Sequence, residues 1–306
     1  MTPSGIVLLD KKPGITSMAS DNFIKKMTGT KKVGHSGTLD PFATGLLPVF
    51  VGDALKVMRY TDDYDKAYRC EACFGRSTDT QDKDGEVTGG RMPSEDEISK
   101  MREDDFRVIR DAFSSLEKIT EQIPPKFSAK KIGGRKAYEL ARAGEEVGLK
   151  PHKVRIYKIE IIDINVKEDG IYVLFDTECS KGTYIRSLCD DAGRITGFGA
   201  HAVSLRRTGC GPFSVEDAFT EDEISKMAGE GDFSFLRGRT EALSMMERME
   251  LSSSEASDVR LGRKINAHED ALEGVLYAAF HEGELTAVLK RDGDIMRIDR
   301  MLKTDA

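Results

Sequence analysis

The most informative stretch of this chain is a short, glycine-rich segment. It reads Gly34-His35-Ser36-Gly37-Thr38-Leu39-Asp40-Pro41-Phe42-Ala43-Thr44-Gly45. A proline disfavours the helical conformation in the residue before it, so Pro41 pushes Asp40 toward an extended conformation. The sequence therefore predicts a single carboxylate presented from a constrained loop. Asp-Pro between glycines is also typical of an ordinary turn, and composition alone leaves both interpretations open.

Charge is unevenly distributed along the chain. The protein has 306 residues and a formal net charge of −7, which argues at first against a nucleic-acid partner. Two stretches are nevertheless basic, at residues 25–35 and 126–142. Local potential, and not net charge, attracts phosphates, so both stretches are candidate RNA-binding surfaces. A solvated charged face is the alternative for each.

The cysteines and the termini limit the class of protein. Five cysteines without framework spacing predict reduced thiols that serve in packing. No stretch approaches the ~20 apolar residues that span a bilayer, and the N-terminus lacks the features of a signal peptide. We therefore expect a cytoplasmic protein without a membrane partner. Residues 79–85 match part of a calcium-binding loop, but the acidic ligand expected at its last position is missing, which favours a polar turn. Residues 10–14 also predict a turn.

Three separated motifs resemble those of the TruB family of tRNA pseudouridine synthases. Gly37-Thr-Leu-Asp40-Pro followed by Ala-Thr-Gly45 is similar to the catalytic loop, which implies that Asp40 is the catalytic residue. Lys66-Ala-Tyr68 resembles the family's Lys-x-Tyr, which implies that Tyr68 stacks on the target base and that Lys66 contacts substrate. Gly182-Thr-Tyr-Ile-Arg186 resembles the segment whose arginine pairs with the aspartate. The alternatives are a core tyrosine and an ordinary surface arginine.

Further substrate contacts are implied by the same resemblance. His35 would lie beside the flipped base, Lys56 stands where the family has a lysine, and Leu205 in Leu-Arg-Arg207 would pack against the reaction pocket. Residues 122–142 resemble the thumb-like insertion with which stand-alone members grip the RNA stem-loop, which implies that Lys130 and Arg142 bind substrate. A basic surface loop is the alternative for this segment.

The fold expected from the resemblance is α+β. It comprises a catalytic domain at residues 1–250 with a mixed, largely antiparallel sheet, a thumb-like insertion at about 124–150, and a small β-rich, PUA-like domain at 251–306. The pattern of strands interspersed with helices supports this class. Apolar spacing predicts a helix ending near Gly29 and another with the buried stripe Ile185, Leu188, Cys189 and Ala192. The acidic helical region at 94–116 is expected to form a solvated outer layer.

The reaction implied is conversion of a uridine in the tRNA T-loop, at conventional position 55, to pseudouridine. The target base must be flipped out, and Asp40 would act as a nucleophile or as a base at the ribose. We expect tRNA as partner, no guide RNA, no cofactor, no metal and a monomeric state. The alternatives are a dyskerin-like subunit that needs a guide RNA and a non-catalytic RNA-binding protein.

Overall fold

The computed structural model describes residues 3–128, 130–145 and 148–302, without the side chains of residues 131, 132, 136, 138, 141 and 142. The helices are α1 (Ser17–Thr28), α2 (Leu55–Met58), α3 (Glu95–Glu103), α4 (Arg107–Leu116), α5 (Ala137–Arg142), α6 (Ile185–Thr196), α7 (Glu221–Gly229) and α8 (Ser253–Arg260). The strands of the first half are β1 (Gly5–Lys11), β2 (Val33–His35), β3 (Thr44–Val51), β4 (Lys66–Phe74), β5 (Ser77–Thr78), β6 (Val87–Gly89), β7 (Glu121–Gln122), β8 (Lys131–Ile132), β9 (Arg135–Lys136) and β10 (His152–Lys153). Those of the second half are β11 (Ile156–Lys167), β12 (Gly170–Cys179), β13 (Ala200–Cys210), β14 (Phe213–Ser214), β15 (Leu236–Arg237), β16 (Glu247–Glu250), β17 (Ile265–Asn266), β18 (Leu276–His281), β19 (Glu284–Asp292) and β20 (Ile295–Met301).

One nine-stranded sheet is built from strands that lie between Gly5 and Arg237. Its strand order is β11-β12-β4-β13-β3-β1-β15, and β14 and β2 pair with β13 and β3. Strands β13 and β3 run parallel, with Arg206 beside Thr44, whereas β4 is antiparallel to both of its neighbours. The sheet is therefore mixed and largely antiparallel, and the predicted α+β class is confirmed.

Helix α1 leads the chain toward the glycine-rich loop. It begins where the Thr16 side chain accepts the N–H of Ala19, and it ends at Gly29, whose φ of 66° is the left-handed cap that glycine adopts without strain. The prediction for this helix is confirmed. The stripe predicted for α6 is also confirmed, because its four apolar residues are buried against the sheet.

The acidic segment after residue 94 differs from its prediction. It forms two helices, separated at Phe106, which has a φ of 54°. Ile109 and Phe113 of α4 are buried, and Phe113 packs on Phe74 and Phe175 with ring centroids 6.1 and 4.8 Å apart. The expected solvated layer is therefore wrong for α4, because its apolar residues recur at helical spacing and cover the sheet while the charged ones face outward.

The C-terminal part is a second sheet, as predicted, and α8 packs on it. Its five strands have the order β16-β18-β19-β20-β17. Phe280 and Val288 are buried in the same apolar cluster as Leu8 and Phe50 of the first sheet. The two sheets thus share a core. The sheet begins at Glu247, and a domain division after residue 250 stays a prediction.

Candidate active site

Asp40 lies in the loop between β2 and β3, and hydrogen bonds fix this loop on both sides of the carboxylate. Before Asp40, the Ser17 hydroxyl accepts the Leu39 N–H at 2.9 Å and donates to the Leu39 carbonyl at 3.1 Å. After it, the Lys11 ammonium donates to the Ala43 carbonyl at 2.7 Å. The predicted constrained loop is confirmed, because side chains of β1 and α1 hold it in place.

Lys11 is an unusual anchor, since its side chain is 0% exposed. Its ammonium also donates to the carbonyls of Pro41 at 3.2 Å and Lys12 at 3.0 Å. Burial lowers the pKa of Lys11 to about 8, although the nearby Asp40 carboxylate favours the charged form. The loop that presents Asp40 is therefore tied to a buried cation.

Because Lys11 is buried, we expect the free energy of unfolding to depend on pH in the alkaline range. The native state releases the Lys11 proton near pH 8, whereas the unfolded chain holds it to about pH 10.4. Between these values the unfolded state binds more protons, so the free energy of unfolding should rise with pH. Relative to Lys11→Met, the wild type should gain about 2 kcal/mol between pH 7.5 and 9.5.

Denaturant unfolding of both proteins at the two pH values measures this gain. Lys12→Met is the matched control: Glu221 raises the pKa of exposed Lys12, so the folded and the unfolded chain both keep this proton up to pH 9.5, and the pH dependence in this window should equal that of the wild type. Equal pH dependence of wild type and Lys11→Met would contradict the buried cation.

Arg186, in the first turn of α6, forms ion pairs with two carboxylates. Its Nε lies 2.9 Å from Oδ2 of Asp40, and its Nη1 lies 3.2 Å from Oδ2 of Asp82. Nη1 also donates to the Thr80 carbonyl at 2.7 Å, and Nη2 donates to the Phe127 carbonyl at 2.9 Å. With 3% of its surface exposed, Arg186 is not an ordinary surface arginine. These contacts hold the guanidinium in one orientation against Asp40.

The ionisation of Asp40 depends on this arrangement. Burial raises the pKa of the Asp40 carboxyl, Arg186 lowers it, and the second carboxylate of Asp82 raises it again. The largest stabilising influence on ionised Asp40 is thus the Arg186 guanidinium. Any change that moves Arg186 away should make Asp40 harder to ionise.

Strands β4 and β13 supply the floor of a cavity of about 540 Å³ beside Asp40. Tyr68 of β4 lies directly opposite Arg207 of β13, and Cys70 lies opposite Leu205, so these pairs belong to one region of the sheet. The cavity is lined by Ser36, Gly37, Thr38, Leu39, Asp40, Asp62, Lys66, Tyr68, His152, Lys153, Ser180, Lys181, Gly182, Thr183, Tyr184, Ile185, Arg186, Leu205 and Arg207. The three proposed catalytic residues thus come together from three separate elements.

The cavity floor contains two buried cations. Arg207 is 1% exposed; its Nε donates to the Leu46 carbonyl at 2.7 Å, and within the described part of the chain its Nη2 has no hydrogen-bond partner. Lys66 is 9% exposed and donates to the Tyr64 carbonyl, and burial lowers its pKa. Burial also raises the pKa of Tyr68 to about 12, so its phenol is protonated at neutral pH.

Of the residues expected to bind substrate, His35, Lys56 and Lys130 do not line the cavity. His35 ends β2 just before the loop, and Lys56 of α2 pairs with Asp53 at 2.8 Å. Lys130 immediately precedes the β8–β9 hairpin, and its carbonyl accepts the N–H of the first residue of α5. The side chain of Arg142 lies outside the described residues. Their roles stay predictions.

The sequence did not reveal Asp82 as a partner of Arg186. It lies in the segment that resembles part of a calcium loop, and its side chain is 9% exposed. Among the described residues, no group of three or more His, Cys, Asp or Glu side chains is arranged to hold a metal ion. Asp82 binds a guanidinium instead, and no local signal indicates that long-range partner.

Among the residues that the structure describes, no helix is both long and apolar enough to cross a membrane. The five cysteines are buried and unpaired, as predicted. Cys70 and Cys189 approach to 3.7 Å between their sulfur atoms, in the core beneath the cavity.

Two family models match consecutive parts of the chain. The model for TruB family pseudouridylate synthase, N-terminal domain, matches residues 25–185, and the model for the tRNA pseudouridylate synthase B C-terminal domain matches residues 186–243. The first of these contains Asp40 and Tyr68 and extends to the start of α6.

Relatives in other organisms carry the name tRNA pseudouridine synthase B. That of Streptococcus gordonii is 37% identical over 95% of this chain and 97% of its own length. That of Streptococcus pneumoniae serotype 4 is 37% identical over 96% of this chain and 98% of its own. A third, from Caldanaerobacter subterraneus, is 41% identical over 74% of this chain and 75% of its own.

Solved structures share the fold at lower identity. A chain from a Cbf5-Nop10-Gar1 complex superposes with a TM-score of 0.71 at 25% identity, covering 97% of this chain and 84% of its own. A chain from an H/ACA RNP bound to a substrate RNA superposes with a TM-score of 0.70 at 24% identity. The match covers 98% of this chain and 86% of that chain. From the family models and the identities over nearly the whole length, this chain belongs to the TruB family of pseudouridylate synthases.

Proposed function

We propose that this protein converts a uridine of tRNA to pseudouridine, at position 55 in the T-loop. The observation that carries the proposal is the Asp40–Arg186 ion pair beside a cavity in a chain of this family. Relatives that share most of their length with this chain are named for action on tRNA, which supports tRNA as the substrate class.

The cavity suits a base that has left its stack. A target inside a folded loop is inaccessible, so the nucleotide must be flipped, at a cost of a few kcal/mol. Stacking on Tyr68 and packing against Leu205 would offset part of that cost, since both side chains line the cavity. The reaction breaks the N1–C1′ bond and joins C5 to C1′, and the proton lost from C5 is balanced by one gained at N1.

The carboxylate of Asp40 can act in two ways in this setting. It can attack the ribose at C1′ and form a covalent intermediate, or it can remove a ribose proton as the glycosidic bond breaks. Both roles require the ionised carboxylate. Activity should therefore fall at low pH, as Asp40 becomes protonated, and Arg186 counteracts the effect of burial on that pKa.

One assay separates this proposal from its alternatives. Purified protein is incubated with an unmodified tRNA transcript, without added RNA or cofactor, and pseudouridine is quantified at each position. Formation at position 55 supports the proposal. Activity that appears only with an added guide RNA would support a dyskerin-like subunit. Tight binding without product under either condition would indicate an RNA-binding protein.

The partner is proposed to be the T-stem-loop, bound by a monomer in the cytoplasm, where tRNA is found. Asp40, Tyr68 and Arg186 all come from one chain, so the site needs no second copy. Lys56, Lys130 and Arg142 are proposed to contact phosphates, which predicts strongly salt-dependent binding. Sedimentation of the protein with and without tRNA measures the stoichiometry.

His35 is proposed to stack in the gap that the flipped base leaves, a role that needs a flat ring. Its ring is 13% exposed, with Nδ1 2.9 Å from Oδ2 of Asp21 and Nε2 3.2 Å from Oγ1 of Thr38. Replacing His35 alone would leave the buried Asp21 carboxylate unpaired. The substitutions are therefore compared in an Asp21→Asn background.

In that background, His35→Phe should keep much of the activity and His35→Lys should lose it. If positive charge beside the basic stretch is what matters, the order reverses, and the salt dependence of tRNA binding weakens in His35→Phe. Turnover and binding of both variants on one transcript at two salt concentrations decide the matter. A more active His35→Lys protein would eliminate the stacking role.

A further inference from the structure

Gln122 is a buried polar residue that the reaction described above does not use. It lies in β7, two residues before Pro124, and is 4% exposed. Its Oε1 accepts the Tyr184 N–H at 2.8 Å, and its Nε2 donates to the Tyr184 carbonyl at 3.1 Å. One carboxamide thus satisfies both backbone groups of a residue far away in the sequence, as a paired strand would.

Tyr184 is the residue from which α6 begins. It is the N-cap of this helix, and its own side chain makes no capping hydrogen bond. Its carbonyl also accepts the first helical hydrogen bond, from the Leu188 N–H at 3.2 Å. Because Gln122 holds this peptide from outside, it fixes the position and rotation of the first turn, which contains Arg186.

The chain after Gln122 continues along the same turn of α6. The Phe127 carbonyl accepts from Nη2 of Arg186 at 2.9 Å, and the Ile123 carbonyl accepts from the Ser187 hydroxyl at 3.5 Å. Pro124 and Pro125 fix φ between these contacts and make the segment stiff. The hydrogen bonds of Gln122 therefore connect the segment that leads into the thumb-like insertion with the start of α6.

We infer that Gln122 is a positioning residue, whose carboxamide holds the Tyr184 peptide so that Arg186 lies against Asp40. The inference rests on the proposed function for its effect on turnover, but its effect on Asp40 can be measured without RNA. A misplacement of about 1 Å at a reacting group can cost about 100-fold in rate. We expect kcat of Gln122→Met to fall to about this extent, with KM changing much less.

The ionisation of Asp40 provides a second measurement. Arg186, Asp82 and Lys11 are the charged groups that act on its carboxyl. If Arg186 moves away in Gln122→Met, the pKa of Asp40 should rise. Carboxyl ¹³C NMR, with the Asp40 signal assigned by Asp40→Asn, should show this in the free protein, and the acid limb of kcat/KM should shift to higher pH in parallel.

Three variants complete the experiment. Gln122→Leu has nearly the same volume and removes both hydrogen bonds to Tyr184 without adding a charge, and it should show the same shift if Gln122→Met folds poorly. Glu121→Gln, at the exposed neighbour, should behave as wild type. An unshifted Asp40 titration in a folded Gln122 variant overturns the inference, as does a change confined to KM. Absence of turnover by the wild type rejects the proposed function instead.

Discussion

Asp40→Asn protein should form pseudouridine at least about 10⁴-fold more slowly than the wild type while binding tRNA within a few-fold. The carboxamide has nearly the size of the carboxylate, but it can neither attack the ribose nor accept its proton. The loop should keep its shape, because Ser17 and Lys11 hold it through backbone atoms of its other residues. Binding should persist because Lys56 and Lys130, which are proposed to contact phosphates, do not line the cavity beside the carboxylate.

Single-turnover kinetics with excess enzyme measures the chemical step without product release. Asp176→Asn is the matched control, since it removes one exposed carboxylate from a surface ion pair with Arg69. That protein should retain full activity. Measurable turnover by pure Asp40→Asn, with binding intact, would remove Asp40 from the chemistry.

Arg186→Ala should lower turnover by about 10²- to 10³-fold. Removing one preorganised group that stabilises charge in an active site commonly costs about 10²- to 10³-fold in kcat. The pKa of Asp40 should rise, because Arg186 is the group that most lowers it, so the acid limb of activity moves to higher pH. Arg186→Lys should recover little, since an ammonium lacks the planar fork that contacts Asp40, Asp82 and Phe127 together.

Stability and catalysis can be separated at this site. Arg186→Ala leaves Asp82 buried and unpaired, which should lower the melting temperature. Arg186→Ala with Asp82→Asn removes that charge and should restore stability without restoring activity. Arg194→Ala, on the exposed side of the same helix, should leave turnover unchanged. Near-normal activity of Arg186→Ala with a lowered melting temperature would show that Arg186 is structural.

Local sequence signals predicted the elements that carry the site. The end of α1 near Gly29 and the apolar stripe of α6 are short-range patterns, and the structure confirms them. The motifs around Asp40, Tyr68 and Arg186 pointed to three residues that the sheet and α6 bring to one cavity. Their catalytic roles stay predictions, which the Asp40 and Arg186 variants test most directly.

Other features had no local signal. Residues 10–14 predict a turn, which forms at Pro13 and Gly14, but no pattern indicated that Lys11, at the end of β1, is fully buried against three carbonyl groups. Residues 79–85 resemble a calcium loop, yet Asp82 pairs with Arg186 from a distant helix. The acidic residues of this segment predicted that α4 would be exposed to solvent, but Phe113 is buried between two aromatic rings.

The sequence by itself indicated the family, the fold class and the carboxylate on which the proposed chemistry depends, because several short motifs, in their order along the chain, resemble those of the TruB family. Apolar periodicity and glycine stops indicated individual helices. Only the tertiary structure decided which polar groups are buried and with what they pair. Gln122 contacts a residue 62 positions away, and Arg186 contacts Asp82 across 104. Such partners are set by how sheet and helices pack, and the energy of a buried charge depends on that packing and not on its neighbours in the chain.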